Sequence, residues 1–564
     1  MRKKSNKKPT RLTNLLFWGV LRRRKCSADI INYAYSIYYW RQCRSTAERI
    51  EILKEFLLSP FSIYMEIKNW SVKLGKTANY SDKSLLRQRL EQFYLAYFYS
   101  INPITYYLQE FYRKDGLTRA RNYVNRNAYK HSTYMILGLH GKMLYKDMEV
   151  CSLGKKVSFF KFCQKRNIPT APVLMEFLAD KTVKDYSNKK NKSGKLPEQD
   201  IFCKPNTDKG GKGAEVWLWK GNQTYQRPDG KVLTEDNLRK RLFKKAKEHA
   251  GSSFIVQPLI IPHPDLAPFR INATPTLRII SYVDSKGSIQ IDSSMFKFSL
   301  NPASVVDNAH AGGLVAPVDV ETGVLGAASD SNIESLGKRW DKHVVNNTQI
   351  KGRLLPYWNE TVKVVKHAHS YFSYRLIIGW DVLITKDGPV ILEANGQPGL
   401  SFIQKAYLSS MGSSGLGNAM AFHLSKAISY MYNGIIGSGA KSKKEGSVDL
   451  YSGLTVKKWI SWFLINDTKA VRLIIHGKVQ GVNFRKWLCD QANSRRVDGW
   501  VCNNDNGTVE AVLRGRAVDI EDLFHECCIG SKEASVTQIK ASWYKNDIKP
   551  GFKVLPGNSS RQAS

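Results

Sequence analysis

Apolar side chains recur about every 3.6 residues between residues 28 and 145, most clearly in SLLRQRLEQFYLAYFYSINPITYYLQEFY. This spacing predicts helices, one of them ending before Pro103, because the residue in front of a proline disfavours helical geometry. Tyr94, Tyr97 and Phe98 fall at helical spacing, which favours core positions, although the same rings suit stacking on bases or sugars. The pattern predicts a basic helical region without a motif.

From about residue 150 the pattern changes to short β-rich runs separated by glycine turns. DIFCKP, SFIVQPLIIP, TLRIISYV, GWDVLIT and PVILEAN predict strands, and KVSFFKFCQKRN predicts a helix that ends before Ile168. The polar stretch at 432–453 predicts a linker. Beyond it, the order strand, helix, two strands, helix, strand predicts a compact split βαβ sandwich.

The charge narrows the range of partners. Eighty-six Lys and Arg against 48 Asp and Glu give a net charge of +38, which favours nucleic acid, acidic lipid, polyanionic glycan or phosphorylated metabolites as partners. A generally basic, solubilising surface explains the same charge. Nine cysteines without a CxxC pair indicate reduced thiols in an intracellular protein.

The N-terminus is basic. Residues 1–25 contain ten basic and no acidic side chains around LTNLLFWGVL, a run too short to span a bilayer. This composition suits the surface of an anionic membrane, and it equally suits a solvated basic tail beside an ordinary packing helix.

Near the C-terminus, GKVQGVNFRKW predicts an anion site. Gly477 and Gly481 permit close approach of the backbone, and Arg485 stands at the start of a predicted helix, whose free N–H groups attract negative charge. The planar guanidinium of Arg485 matches two phosphoryl oxygens. The alternative is an arginine held in a salt bridge at a helix start.

Two further stretches predict a second phosphate site. Lys204 precedes a loop with glycines at 210, 211 and 213, a weak sign of a phosphate clamp. If residues 386–388 form a hairpin loop, Asp381 lies opposite Glu393, and Asn395 shares the face of Glu393. These oxygen ligands suit Mg²⁺. Without a cation, the like charges of Asp381 and Glu393 repel each other at close range. The alternative is that both are exposed carboxylates on an edge hairpin.

Residues 477–485, GWVCNNDNGTVE at 499–510 and IGSKEASV at 529–536 closely resemble the acylphosphatase family over about 470–556. The resemblance implies a ferredoxin-like βαββαβ sandwich and a metal-free hydrolase of acyl phosphates. It implies that Arg485 binds the phosphate and that Asn503 orients the attacking water. From its residue type alone, Asn503 also suits a turn that caps its own backbone.

The middle of the chain, about 150–425, resembles the ATP-grasp superfamily, in particular the branch associated with sugar transferases and related to glutamate-type ligases. The resemblance implies a two-lobed α+β fold that binds ATP between the lobes and activates a carboxylate as an acyl phosphate. The positions that match are Lys156, Lys204, Gln257 and Arg278 for ATP, and Asp381, Glu393 and Asn395 for Mg²⁺.

Several of these positions keep alternatives open. Arg278 suits a phosphate contact and equally a structural ion pair. Lys155 stands where the family often has an acid, and Gly379 stands where peptide-forming ligases often have arginine, so ligation is less supported than ATP binding. His310, in the glycine-rich stretch 308–319, suits a turn better than a catalytic base.

The sequence therefore predicts an α+β multidomain enzyme. Its units are a basic tail (1–27), a basic helical region (28–145), an ATP-grasp domain (146–431), a linker (432–468), an acylphosphatase domain (469–556) and a tail (557–564). The predicted partners are acyl phosphate, ATP with Mg²⁺, and an unknown carboxylate and acceptor, in the cytoplasm; nucleic acid is not favoured. The alternatives are a hydrolase with a degenerate ATP-grasp scaffold, and a basic adaptor on nucleic acid or membrane.

Overall fold

The computed structural model describes residues 13–22, 25–43, 46–75, 83–145, 148–187, 195–207, 213–248, 253–271, 273–301, 313–330, 332, 335–436, 468–516, 519–520, 523–524, 526–527, 530–531, 533–544 and 546–557. Residues 1–12 of the predicted tail, Gly210, Gly211, His310 and most of the predicted linker lie outside these residues.

The N-terminal region is helical, as its apolar spacing predicts. Its helices are α1 (Thr13–Leu21), α2 (Ser27–Gln42), α3 (Thr46–Leu74), α4 (Leu85–Tyr99), α5 (Pro103–Leu108), α6 (Gly116–Asn122), α7 (Arg126–Ala128) and α8 (Tyr134–Leu144). The prediction at Pro103 is confirmed, since α4 ends before it and α5 begins on it, where the missing proline N–H costs no hydrogen bond.

Helix α1 is an ordinary packing helix. Leu15 and Leu16 are fully buried, and the ring of Phe17 lies 4.2 Å from that of Phe56 on α3. Leu15, Leu16, Phe17 and Val20 of α1 are therefore buried in the protein core, as the packing interpretation of this segment expects, whereas Leu21 is exposed. No helix among the described residues is both long and apolar enough to cross a bilayer.

A first lobe is built on an antiparallel sheet in the order β2-β1-β7-β3-β4-β5-β6. Its elements are α9 (Lys156–Gln164), β1 (Met175–Phe177), β2 (Val183–Asp185), β3 (Ile201–Pro205), β4 (Glu215–Trp219), β5 (Thr224–Gln226), β6 (Val232–Thr234), α10 (Glu235–Glu248) and β7 (Phe254–Pro258). Trp217, Tyr225 and Phe254 are fully buried in its core together with Leu238 and Leu242 of α10.

A second lobe is built on the antiparallel sheet β10-β9-β8-β11-β12. Its elements are β8 (Thr276–Val283), β9 (Ile289–Phe298), β10 (Leu314–Val318), α11 (Trp358–Ser370), β11 (Ile377–Thr385), β12 (Gly388–Asn395), α12 (Ser401–Ala406) and α13 (Gly415–Ile436). One buried cluster joins this sheet to α11, and another joins it to the N-terminal helices and α13. The N-terminal helices thus complete the second lobe.

The C-terminal unit has the predicted order of elements. Its elements are β13 (Thr468–Lys478), α14 (Phe484–Ser494), β14 (Asp498–Asn503), β15 (Val509–Arg516), helical residues at 519–520, 523–524 and 526–527, β16 (Ser535–Trp543), and an added short strand β17 (Phe552–Val554). The sheet order is β16-β13-β15-β14-β17. Helix α13 continues to Ile436, past the predicted linker start at 432.

Candidate active sites

The loop between β13 and α14 is held in one conformation by backbone geometry and by its neighbours. Gly477 and Gly481 have φ of 119° and 69°, and Asn483, which precedes the helix, has a left-handed φ of 58°. A Cβ at position 477 would collide with the carbonyl oxygen of Ser535. These positive φ values turn the chain so that the first N–H groups of α14 face the loop.

Gln480 ties this loop to the β14–β15 hairpin. Its Nε2 donates to the carbonyl oxygens of Asn504 at 2.8 Å and Thr508 at 2.9 Å. Asn504 directly follows Asn503, so the amide of Gln480 brings the loop against the end of β14. The sequence offered no sign of this role beyond the position of Gln480 between two glycines.

Arg485 is the second residue of α14 and is half-buried. Across the described part of the chain, no carboxylate oxygen lies within 4.0 Å of its guanidinium, whereas Arg495 at the other end of α14 reaches Glu526 at 3.7 Å. The structure therefore does not support the salt-bridge alternative for Arg485. A guanidinium at a helix N-terminus without a protein anion can bind an external one.

Asn503 ends β14, opposite Val509 of β15. Its side-chain oxygen Oδ1 is buried and accepts no hydrogen bond from any described residue. The turn itself is stabilised by other side chains: Asn504 Nδ2 donates to Thr508 Oγ1 at 3.0 Å, and Asn506 Oδ1 accepts from the Thr508 N–H at 3.2 Å. The turn-capping alternative thus describes these neighbours, and Asn503 retains an acceptor for a ligand or a water.

In the second lobe, Asp381 and Glu393 pair across β11 and β12, as predicted, and Asn395 lies opposite Gly379. The predicted three-residue loop is wrong, because Thr385 pairs with Gly388 and the turn has two residues. A bulge at Leu392 supplies the extra residue instead and restores the predicted pairing.

Two cationic side chains and one amide donate hydrogen bonds to Asp381. Arg278 donates to it from Nε and Nη2 at 2.9 Å each, Lys297 Nζ approaches at 3.1 Å, and Asn395 Nδ2 donates at 3.2 Å. Burial opposes the charge, yet the guanidinium of Arg278 and the ammonium of Lys297 lower the pKa of Asp381 to about 2.

These contacts change two expectations. Arg278 forms the structural ion pair that was its alternative role. The like-charge argument for a metal does not hold, since Arg278 and Lys297 already compensate the charge of Asp381. Lys297 was missed by sequence reasoning; its signal was the alternation along β9, which places it on the face of Arg278 two residue pairs further along.

Lys204 of the first lobe interacts with charged side chains of the second lobe. Its ammonium is half-buried at the end of β3, and burial together with the nearby charge of Lys156 lowers the pKa of Lys204 to about 8, against the opposing attraction of Glu393 and Asp381. Lys156 starts α9, where its N–H and Nζ both donate to the carbonyl oxygen of Asn206, two residues after Lys204. The charges of Lys156, Lys204, Asp381 and Glu393 therefore interact across the two lobes.

Gln257 and Gly379 have structural explanations. Gln257 is buried, and its Nε2 donates to the carbonyl oxygen of Ala171 at 3.1 Å, so its amide fixes the strand. A Cβ at position 379 would lie 2.7 Å from the Cβ of Pro398, which leaves no room for the arginine found there in peptide-forming ligases.

The donor set at the hairpin fits a hard cation in part. The carboxylate of Glu393 and the amide oxygen of Asn395 are oxygen donors on one face, beside the compensated carboxylate of Asp381. The described residues contain no group of three or more His, Cys, Asp or Glu side chains placed to hold a metal. A Mg²⁺ ion bound here would therefore need the amide oxygen of Asn395 and oxygens of the molecule bound with it.

Comparison with known proteins gives a family match for two parts of the chain. Residues 140–416 match the family described as sugar-transfer associated ATP-grasp, and residues 471–554 match the acylphosphatase family. The chain belongs to the acylphosphatase family through its C-terminal unit, and the unit in front of it matches the sugar-transfer associated ATP-grasp model.

The C-terminal unit aligns with nearly the full length of individual acylphosphatases. The chain is 40% identical over 83 residues to an acylphosphatase of Acidiphilium cryptum and 40% identical over 83 residues to one of Thermococcus kodakarensis, each spanning 15% of this chain and 91% of the relative. Among solved structures, a Coxiella burnetii acylphosphatase is 28% identical over 16% of this chain and 94% of its own (TM-score 0.16). D-alanyl-alanine synthetase A of Vibrio cholerae is 12% identical over 49% and 65% (TM-score 0.28).

Proposed function

We propose that the chain is a two-activity enzyme. In this proposal residues 146–431 form an ATP-binding unit that activates a carboxylate as an acyl phosphate, and residues 469–556 form a hydrolase that returns acyl phosphate to carboxylate and phosphate. The description of the ATP-grasp family connects its members with sugar transfer, so we propose a glycan-linked carboxylate or acceptor. The observation that supports the hydrolase is that, among the described residues, Arg485 has no carboxylate partner and the Asn503 side-chain oxygen has no donor.

In the hydrolase, Arg485 and the N–H groups at the start of α14 bind the non-bridging phosphoryl oxygens. Asn503 Oδ1 accepts a hydrogen bond from water and directs its oxygen at phosphorus. The P–O bond to the acyl group breaks, the carboxylate leaves with the bond electrons, and the water proton ends on phosphate. Because a carboxylate is a good leaving group, positioning and charge stabilisation suffice without a strong base.

In the ATP-grasp unit, Lys156 and Lys204 bind nucleotide phosphates from the first lobe. A carboxylate oxygen of the substrate attacks the γ-phosphorus, and ADP leaves. Mg²⁺, held by Glu393 and Asn395 beside Asp381, would supply charge neutralisation of the phosphates when bound. Arg278 and Lys297 keep Asp381 charged and fixed in place, which makes them positioning residues in this proposal.

The fusion places the two activities at high effective concentration. If both acted freely on one intermediate, the net result would be ATP hydrolysis. We propose that the hydrolase removes stray or wrongly activated acyl phosphate, a form of editing. Under this proposal Arg485→Ala raises released acyl phosphate and lowers the ATP consumed per product.

The first experiment measures hydrolysis of benzoyl phosphate by the full-length protein, with EDTA and without nucleotide. We expect wild type and Arg495→Ala to hydrolyse it, and Arg485→Ala and Asn503→Ala to lose activity by about 100-fold or more. Arg495 is the matched control because it lies on the same helix and is paired with Glu526. A folded wild type without activity would overturn the hydrolase, and absent Mg²⁺-dependent ATP binding would favour a degenerate ATP-grasp scaffold.

A further inference from the structure

Helix α3 presents an apolar surface that no other described element covers. Leu57, Leu58 and Phe61 are 66%, 69% and 72% exposed. The full set of exposed apolar side chains on the helix is Ile50, Leu53, Leu57, Leu58, Phe61, Tyr64, Met65 and Val72. Each of these eight side chains exposes on the order of 100 Å², so together they form a patch of roughly 800 Å². The largest apolar patch on a typical monomer is roughly 300–600 Å².

The three faces of α3 are sorted by chemistry. At about 100° per residue, the exposed apolar side chains fall on one arc of about 140°, and Ile52, Ser59, Ile67 and Leu74 fall on the buried arc, with buried Ser71 at the border at the angle of Leu53. The remaining exposed arc carries the acidic side chains of the helix, Glu48, Glu51, Glu55 and Glu66.

The charges within the apolar arc are both positive. Lys54 and Lys68 are exposed and lie at the same helical angles as Ile50, Phe61 and Val72, and no Asp or Glu of α3 falls among them. Lysines on an apolar face extend their ammonium groups toward a polar boundary while their stems stay in apolar surroundings. The arc therefore fits a partner that is apolar within and anionic at its surface.

The sequence before α3 is also basic. Thr13 Oγ1 donates to Glu55 on the acidic arc of α3 at 2.8 Å, and the twelve residues that precede Thr13 in the sequence include six Lys and Arg and no acid. Residues 1–145 carry 27 basic and nine acidic side chains. Helix α4 adds a second exposed stripe at helical spacing, Leu86, Leu90 and Phe93.

We infer that α3 docks on an anionic lipid bilayer. The apolar arc enters the boundary between headgroups and acyl chains, and Lys54 and Lys68 pair with headgroup phosphates. A second copy of the chain fits less well, because pairing two such arcs would bury lysines with no acid on the arc to compensate them. The inference does not depend on the proposed enzymatic function.

The test is flotation of the full-length protein with phosphatidylcholine vesicles, with and without phosphatidylglycerol. We expect binding to the anionic vesicles, at least about tenfold weaker binding for the double variant Leu57→Glu and Phe61→Glu, and weaker binding for Lys54→Gln with Lys68→Gln. The double variant Ser62→Glu with Asn69→Glu is the matched control, since it adds the same two charges on the acidic arc and should bind like wild type.

Three results would overturn the inference. One is wild type that stays unbound to both kinds of vesicle, and another is a Leu57→Glu, Phe61→Glu variant that floats as well as wild type. The third is a wild-type dimer that this variant converts to monomers, which would assign the arc to a second copy. Because the mutated side chains are exposed, matching thermal unfolding midpoints will show that the variants are folded.

Discussion

The pKa of Lys204 gives the sharpest test of the cleft between the lobes. Burial and the charge of Lys156 lower this pKa to about 8, so Lys204 is charged below pH 8 and increasingly neutral above it. If its ammonium binds nucleotide phosphates, only the protonated protein binds tightly. We therefore expect the affinity for ATP to be nearly constant below about pH 7, to be halved at about pH 8, and to fall further as the pH rises.

The size of the effect follows from the pKa. At pH 9 about one molecule in eleven retains the proton, so the dissociation constant rises about tenfold, or about 1.4 kcal/mol. Binding also restores the charge, so nucleotide takes up a proton in this range. Calorimetric titration with a non-hydrolysable ATP analogue in buffers of different ionisation enthalpy measures the affinity and the proton uptake together.

Two variants control for other titrating groups. Lys204→Arg keeps its charge throughout this range, so its affinity should not change between pH 7 and pH 9.5. Lys204→Gln should bind weakly and equally at each pH. A wild-type affinity that is constant to pH 9.5, or an unchanged pH dependence in Lys204→Arg, would refute the role of Lys204 at the phosphates.

Three further predictions concern single positions. Asp381→Asn leaves the two cations beside it without their anion in a half-buried site, so chemical denaturation should show a loss of roughly 2–4 kcal/mol in unfolding free energy. Gly477→Ala should cost about 2–4 kcal/mol because its Cβ meets the Ser535 carbonyl, whereas Gly481→Ala, with open space, should cost about 1 kcal/mol for its positive φ. In acyl phosphate hydrolysis, Arg485→Ala should raise KM and lower kcat, while Asn503→Ala should mainly lower kcat, as steady-state kinetics will show.

The C-terminal unit could be predicted almost completely from the sequence, because its information is local. The glycines at 477 and 481 fix the loop, Arg485 and Asn503 lie at element ends, and the alternation of apolar residues sets the strands. The same locality placed Asp381 opposite Glu393, since both lie in one hairpin.

The rest of the ATP-grasp cleft depends on contacts between distant segments. Lys297 reaches Asp381 across two strand pairings, and the low pKa of that carboxyl arises from partners 84 and 103 residues away. Gln257 matched a family position, but its buried contact with the Ala171 carbonyl follows from packing of β7 against the irregular segment before β1. Neither relation has a periodic signal in the sequence.

The bulge at Leu392 bears on how this hairpin tolerates changes in length. Ile391 and Ala394 face the core, while Leu392 and Glu393 both lie away from it, so the bulge accommodates one residue without turning Glu393 into the core. Removing Leu392 would leave Glu393 opposite Asp381 and Asn395 opposite Gly379, with only the local twist altered. A one-residue insertion or deletion here is therefore compatible with the same set of cleft side chains, so such length changes can accumulate during evolution without loss of the site.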